Sequence, residues 1–195
     1  MALTRTDGPD VEPVSLVEAK AHLRVDISDD DALIGALIVA AREMAEAITR
    51  RALITQTWVY TLDSWPRGGM IAFPMPPLQD VGDVDYTSYT GVTATLADTS
   101  YVIDTASEPG RLRLKFTSFW PSVILRELAA IEIEFDAGYG DDGAHVPQAI
   151  RQAMLLMIGH WYEKRELMAP PGSALGEIPF AVQALLSPYR VMEFA

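Results

Sequence analysis

Residues 15–53 read SLVEAKAHLRVDISDDDALIGALIVAAREMAEAITRRAL, and this stretch sets the opening of the fold. Ser15 and Glu18 stand in the S-x-x-E pattern of a capping box. In that motif the serine hydroxyl accepts from the backbone N–H three residues on, and the glutamate reaches back to the serine N–H. A helix is therefore expected over residues 15–24, with Leu16, Ala19 and Leu23 on one face. The pattern breaks at Val25–Ile27. Ser28 is expected to cap a second helix whose first turn holds Asp29, Asp30 and Asp31, where negative charge complements the helix dipole. Leu33, Leu37, Ala40, Ala41, Met44 and Ile48 recur at helical spacing and predict its buried stripe. Arg50 and Arg51 fall at the favourable end for cations, so the helix is expected over 29–53. The stretch carries no catalytic nucleophile, no cofactor loop and no metal cluster. It reads as scaffolding.

Outward from it, residues 1–13 contain Gly8, Pro9 and Pro13 without periodicity and predict an extended N-terminal arm. After residue 55 the texture turns aromatic and β-branched. Strands are expected at Thr57–Leu62, Val81–Thr87, Val92–Leu96, Tyr101–Asp104, Arg111–Phe116 and Ala130–Ala137, with turn signals at Gly91 and Pro109-Gly110. Pro147 suits the first turn of a third helix over 147–167, with Ile150, Met154, Met157, Ile158 and Trp161 inward. Pro170-Pro171-Gly172 stops it. A short helix over 180–187 should turn Val182, Leu185 and Leu186 inward. The expected class is α+β: a helical domain of two N-terminal helices, one long and one short C-terminal helix, with an antiparallel β region at about 55–137. One domain over 14–187 and a C-terminal tail over 188–195 complete the layout.

The chain has 195 residues, 49% apolar and 22% charged, as in an ordinary globular protein. At this size about 70% of the unfolded surface can be buried. No run reaches the ~18 apolar residues of a membrane span, and the first residues lack an apolar signal core. Synthesis in the bacterial cytoplasm is the expectation. There is no cysteine, so disulfides and thiolate chemistry are excluded. The net charge of −12 argues against adhesion to nucleic acid.

The strongest polar pattern lies on two strands. Arg111, Arg113 and Lys115 alternate with Leu112, Leu114 and Phe116. Glu132, Glu134 and Asp136 alternate with Ile131, Ile133 and Phe135. Alternation puts the six apolar residues toward the core and the charges on the other face. If the strands are neighbours, the charges pair at roughly 0.2–1 kcal/mol each. Glu132 and Glu134 also have the spacing of a carboxylate pair for glycoside chemistry, the alternative reading being a solvated or intersubunit face. His160 and Glu163 lack third and fourth metal ligands. Asp80, Asp83 and Asp85 lack the order of a calcium loop. No nucleotide loop or nucleophile elbow is present. No catalytic, cofactor or metal site is predicted.

The ordered series of short motifs carries more. It runs from SLVEAKAHLRVD through Gln56-Thr57-Trp58, Trp65-Pro66, Tyr101-Val102-Ile103-Asp104, Arg111-Leu112 and Trp120-Pro121. It continues with Phe135-Asp136-Ala137-Gly138-Tyr139-Gly140, Val146-Pro147-Gln148-Ala149-Ile150, Trp161-Tyr162-Glu163-Lys164-Arg165-Glu166 and Leu185-Leu186-Ser187-Pro188-Tyr189-Arg190. Over residues 14–191 this series resembles the head–tail connector, or adaptor, family of long-tailed phages and gene transfer agents. The resemblance implies a non-enzymatic, usually twelve-fold ring beneath the portal. Such a ring extends the DNA channel without specific DNA binding and docks a stopper or tail-completion protein. It implies no cofactor and no membrane. A carbohydrate-active protein using Glu132 and Glu134, or another neck protein, are the alternatives. Some members of the family reach the portal with a C-terminal segment. Pro188, Tyr189, Arg190, Val191, Met192 and Phe194 match that role in character and position.

Overall fold

The computed structural model describes residues 1–164 and 180–191. The chain divides into a β unit, Met1–Pro9 with Thr55–Tyr139, and a helical unit, Asp10–Ile54 with Gly140–Ala195. The class is α+β, with four α-helices among the described residues and antiparallel strand pairing.

In the helical unit, helix α1 spans Leu16–Leu23, and the capping box at its start is formed as read. The Glu18 N–H donates to Ser15 Oγ at 3.2 Å, and the Ser15 N–H donates to Glu18 Oε2 at 2.9 Å. Helix α2 spans Asp31–Thr49, shorter at both ends than the expected 29–53. Ser28 does not cap it with its hydroxyl. Its carbonyl accepts from the Asp31 N–H instead, and Asp30 takes the N-cap position. The helix stops because Arg50 turns left-handed at φ 56°, its N–H donating to the Glu46 carbonyl at 2.7 Å.

The buried face of α2 lies one residue round from the predicted stripe. Ile34, Ile38, Ala41, Arg42, Ala45, Glu46 and Thr49 are buried. Ala41 alone of the expected set is fully buried, while Leu33 is 39% exposed and Met44 36%. The reason is that the true inner face holds three polar side chains satisfied in place. Arg42 Nη1 donates to Glu46 Oε2 and Arg42 Nε to Glu12 Oε2, both at 2.9 Å. Thr49 Oγ1 donates to the Ala45 carbonyl at 2.7 Å. Glu46 Oε1 accepts from the Leu53 N–H at 3.1 Å, which fixes the buried exit segment Arg51–Ile54. Burial pushes the Glu12 carboxyl up, and Arg42 opposes that rise.

Helix α3 spans Gln148–Glu163 and buries Ile150, Ala153, Met154, Met157 and Ile158, with Trp161 half-buried. The expected last turn at 165–167 and the stop at Pro170-Pro171-Gly172 lie outside the described residues. Helix α4 spans Phe180–Leu186 and buries Val182 and Leu186, with Leu185 half-buried. Arg151 on α3 donates from Nε to the Pro13 carbonyl at 3.0 Å and from Nη2 to Glu18 Oε1. Tyr162 Oη donates to Asp30 Oδ2 at 2.5 Å. A Cβ at Gly143 would lie 2.6 Å from the Pro13 carbonyl oxygen, so only glycine admits this approach.

The β unit has two sheets. Strands β1 Ala2–Asp7, β2 Gln56–Leu62, β4 Leu78–Thr87, β5 Thr93–Thr95 and β8 Ile131–Ala137 form one, in the order β1-β2-β8-β4-β5. Strands β3 Met70–Ala72, β6 Tyr101–Asp104 and β7 Arg111–Leu114 form the other, in the order β3-β7-β6. Residues of the expected arm are thus an edge strand, with Leu3 opposite Tyr60. Strand β3 was not expected: its three residues are too few to show an alternation. Leu112, Ile131, Ile133 and Phe135 are buried as expected, Leu114 is half-buried, and the Phe73 and Phe135 rings meet at 5.1 Å. Gly110 passes so close to Leu78 that a Cβ would sit 2.4 Å from its side chain.

Two expectations for the charged strands change. β7 and β8 lie in different sheets, so their charges do not form a ladder. Arg111 Nε pairs instead with Asp104 Oδ2 at 2.9 Å, across the β6–β7 pair. And β7 ends at Leu114, so Phe116 is not in the core. The Ser118 N–H donates to the Lys115 carbonyl at 2.9 Å, a turn that ends the alternation. Phe116 is fully exposed, at 104%.

Arg42→Ala leaves Glu46 and Glu12 without their cation, and urea denaturation should register a loss of about 3 kcal/mol. Glu18 is held below its usual 4.5, first by the Ser15 N–H and then by Ser15 Oγ and Arg151. A depressed carboxyl stabilises the fold fully above 4.5 and loses that contribution as pH falls through the folded value. Glu18→Gln should therefore cost roughly 0.5–1 kcal/mol at neutral pH, and the gap from the parent should close in acid.

Candidate functional site

The residues expected to carry the site fall in two places. In the helical unit, α4 leads into a 3-10 turn at Ser187–Tyr189. Arg51 Nε donates to the Tyr189 carbonyl at 2.6 Å, and the Val191 N–H donates to the Thr49 carbonyl at 2.9 Å. The start of the tail is thus tied by its backbone to the end of α2. Pro188 and Arg190 stay exposed, and Tyr189 and Val191 are half-buried. Met192 and Phe194 lie outside the described residues.

In the β unit, Glu132 and Glu134 point from β8 to the outer face of the five-stranded sheet, exposed, while Ile131, Ile133 and Phe135 fill the inner face. Arg126 Nη2 pairs with Glu132 Oε1 at 2.8 Å. The two carboxylates stand on an open sheet rather than in a cleft, which gives a sugar ring nothing to enclose it. Asp80 and Asp85 sit on β4, opposite Asp136 and Glu132. Among the described residues, no group of three or more His, Asp and Glu side chains could hold a metal ion. Among them, too, no helix is long and apolar enough to cross a membrane.

A third place was not expected. Residues 115–130 join β7 to β8 as a loop, and it is pinned at several points. The Trp120 ring stacks on Trp65, centroids 4.5 Å apart and planes 8° apart, and its Nε1 donates to the Pro66 carbonyl at 3.1 Å. Trp65 in turn meets Tyr86 edge-on at 5.8 Å. The Tyr89 N–H donates to the Ile124 carbonyl, and the Ala129 N–H to Asp63 Oδ1, both at 2.9 Å. That Ala129 bond, followed by the N-terminal ammonium, holds the Asp63 carboxyl below its usual range. Yet Phe116, Phe119, Ile124 and Leu128 of this loop are exposed, Phe119 at 85%. An ordered loop that displays large apolar side chains has the character of an interaction surface. The sequence signal was Trp65-Pro66 and Trp120-Pro121, whose two indoles turn out to be partners. Beside the loop an open groove of about 640 Å³ is lined by Val102, Arg113, Lys115, Phe116, Phe119 and Trp120, among others.

An ordered apolar loop of this kind is suited to docking. Residues 13–76 match the sequence model of the family described as phage gp6-like head-tail connector protein. That segment contains the capped opening, both N-terminal helices and the first strands after them. The fold is similar to a chain from the neck of an empty gene transfer agent particle computed with C6 symmetry. The two share 25% identity with a TM-score of 0.80, over 100% of this chain and 98% of that one. It is similar also to a chain of the native gene transfer agent virion, at 24% identity and a TM-score of 0.80. A third similar chain comes from the native neck computed with C12 symmetry, at 24% and 0.78. Both cover 100% of this chain and 98% of theirs. Comparison with curated proteins returns no match. The connector resemblance read from the ordered motifs is borne out by these comparisons.

Trp120→Ala should release the loop while leaving the sheets in place. The expected result is a loss of about 1 kcal/mol from the broken ring pair, with protease cleavage within 115–128 at least tenfold faster; unchanged cleavage would mean the stack does not hold the loop.

Proposed function

We propose that this chain is a structural head–tail adaptor in the neck of a phage-like particle, and not an enzyme. The observation that carries this is the whole-length likeness to a chain of a gene transfer agent neck, at 25% identity and a TM-score of 0.80. The match of residues 13–76 to the head–tail connector family points the same way. Copies assemble as a ring; similar chains come from necks computed with C6 and C12 symmetry, and twelve copies is our reading for this one.

The ring sits under the portal, extends the DNA channel and docks a stopper or tail-completion protein. A closed ring needs two different complementary faces on each copy, since each subunit meets its neighbours head to tail. The charge of −12 suits a conduit past which a duplex slides without adhering. We assign portal contact to the tail, through Pro188, Tyr189, Arg190, Val191, Met192 and Phe194. The backbone ties at Tyr189 and Val191 support this by holding the start of the tail at the end of α2.

Cryo-electron microscopy of particles tests the function directly: density for this chain belongs between portal and tail, and its absence from the neck ends the proposal. For the tail, Arg190→Glu and deletion of residues 192–195 should each weaken portal capture at least tenfold without lowering the melting temperature. Undiminished capture by both would remove the tail from the anchoring role.

A further inference from the structure

The two outer faces of the β unit differ in sign. On the small sheet, strand register places Arg113 between Met70 on β3 and Val102 on β6. Met70 and Val102 are both exposed, and Phe116 and Phe119 stand on the loop beside them. Arg113 has no ion pair among the described residues. On the five-stranded sheet, register sets Asp80 opposite Asp136 and Asp85 opposite Glu132, with Glu134 between them on the central strand. Like charges opposed across a ladder weaken it. Glu132 has Arg126; Glu134 has no cation among the described residues. Because the inner faces of the two sheets meet through Phe73 and Phe135, the basic and acidic faces point away from each other.

We infer that these faces are the two halves of one contact between successive copies of this chain, with Arg113 of one copy set against the acidic face centred on Glu134 of the next. A cation arriving from a neighbour relieves the opposed carboxylates, and the same approach covers Phe116 and Phe119, which a free subunit leaves in water. Since the faces are unlike and point apart, one copy cannot satisfy its own pair. The contact is heterologous and propagates until a ring closes it. This rests on the ring reading proposed above and adds which surfaces make it.

A charge swap tests the contact in particles assembled with the full-length chain. Arg113→Glu should reduce the amount of this chain in purified particles at least tenfold, and Glu134→Arg alone should do likewise. The double variant should restore it to within about threefold of the parent. Circular dichroism melting of each purified variant confirms that it folds. A second measurement leaves the charges untouched. The chain has no cysteine, so Val102→Cys with Val59→Cys, the neighbours of Arg113 and Glu134 in register, introduces two thiols on opposite faces. Mild oxidation of such particles should give a ladder of covalent multimers that neither single variant gives. Normal incorporation of Arg113→Glu, failure of the swap to rescue, or absence of the ladder overturns the contact while the parent chain still occupies the neck. A parent chain missing from the neck overturns the adaptor reading and the contact with it.

Discussion

One guanidinium orders the interior of the helical unit. Arg42 is 4% exposed and holds Glu46 one turn along α2 and Glu12 on the segment entering the unit. Taking those charges from water costs several kcal/mol per ion, and the geometry of the paired oxygens offsets it. What the arrangement supplies is position. Glu46 uses its other oxygen to catch the Leu53 N–H, so the same network sets the chain's entry, the pitch of α2 and the exit after it. The rotation of α2 that leaves Leu33 and Met44 partly in water follows from this. With Arg42 and Glu46 turned inward, the more apolar-looking stripe is turned partly away.

The β unit is arranged differently. Its inner faces are mostly apolar, with Gln56 buried among them, and the outer faces differ: carboxylates outside the five-stranded sheet, Arg113 with exposed apolar side chains outside the small one. Asp136 and Asp85 accept from Thr57 and Thr95 within the sheet and Glu132 pairs with Arg126, while carboxylates opposed across the ladder weaken it slightly. The Trp65–Trp120 stack adds order to a loop whose largest side chains gain nothing from the subunit's own core. Features that are neutral or costly in a single copy are understandable in an assembly.

Local chemistry was legible in part: the cap expected from Ser28 did not form. The Ser15–Glu18 box depends on residues three apart and formed where read, and the α3 stripe was correctly phased because its inner face is wholly apolar. Where an inner face mixes apolar with satisfied polar groups, as on α2, hydrophobic periodicity points to the wrong side by one residue. Sheet order was not legible. The pairing of β1 with β2 joins Leu3 to Tyr60, and the separation of β7 from β8 into two sheets rests on contacts with no local signature. Phe116 was misplaced for a related reason: alternation assigns an apolar residue to the core, while a turn at Lys115 and an exposed role need no such pattern. The candidate surfaces were legible in part. The charges on β7 and β8 were visible as alternating sets, and their placement on separate layers was not.

The chain path has a consequence for how the molecule comes into being. Neither unit is continuous in sequence: the first strand belongs with residues beyond 55, and the first two helices belong with residues beyond 140. During synthesis β1 waits for β2, the central strand β8 arrives only near residue 131, and α1 and α2 lack α3 until residue 148. Contacts of such long sequence separation make folding slow relative to a chain of local contacts. They also keep a nascent fragment from completing either unit early. A copy cut short of residue 131 therefore lacks the central strand β8 and Glu134 with it, so a fragment of that length has no acidic face to offer a neighbour.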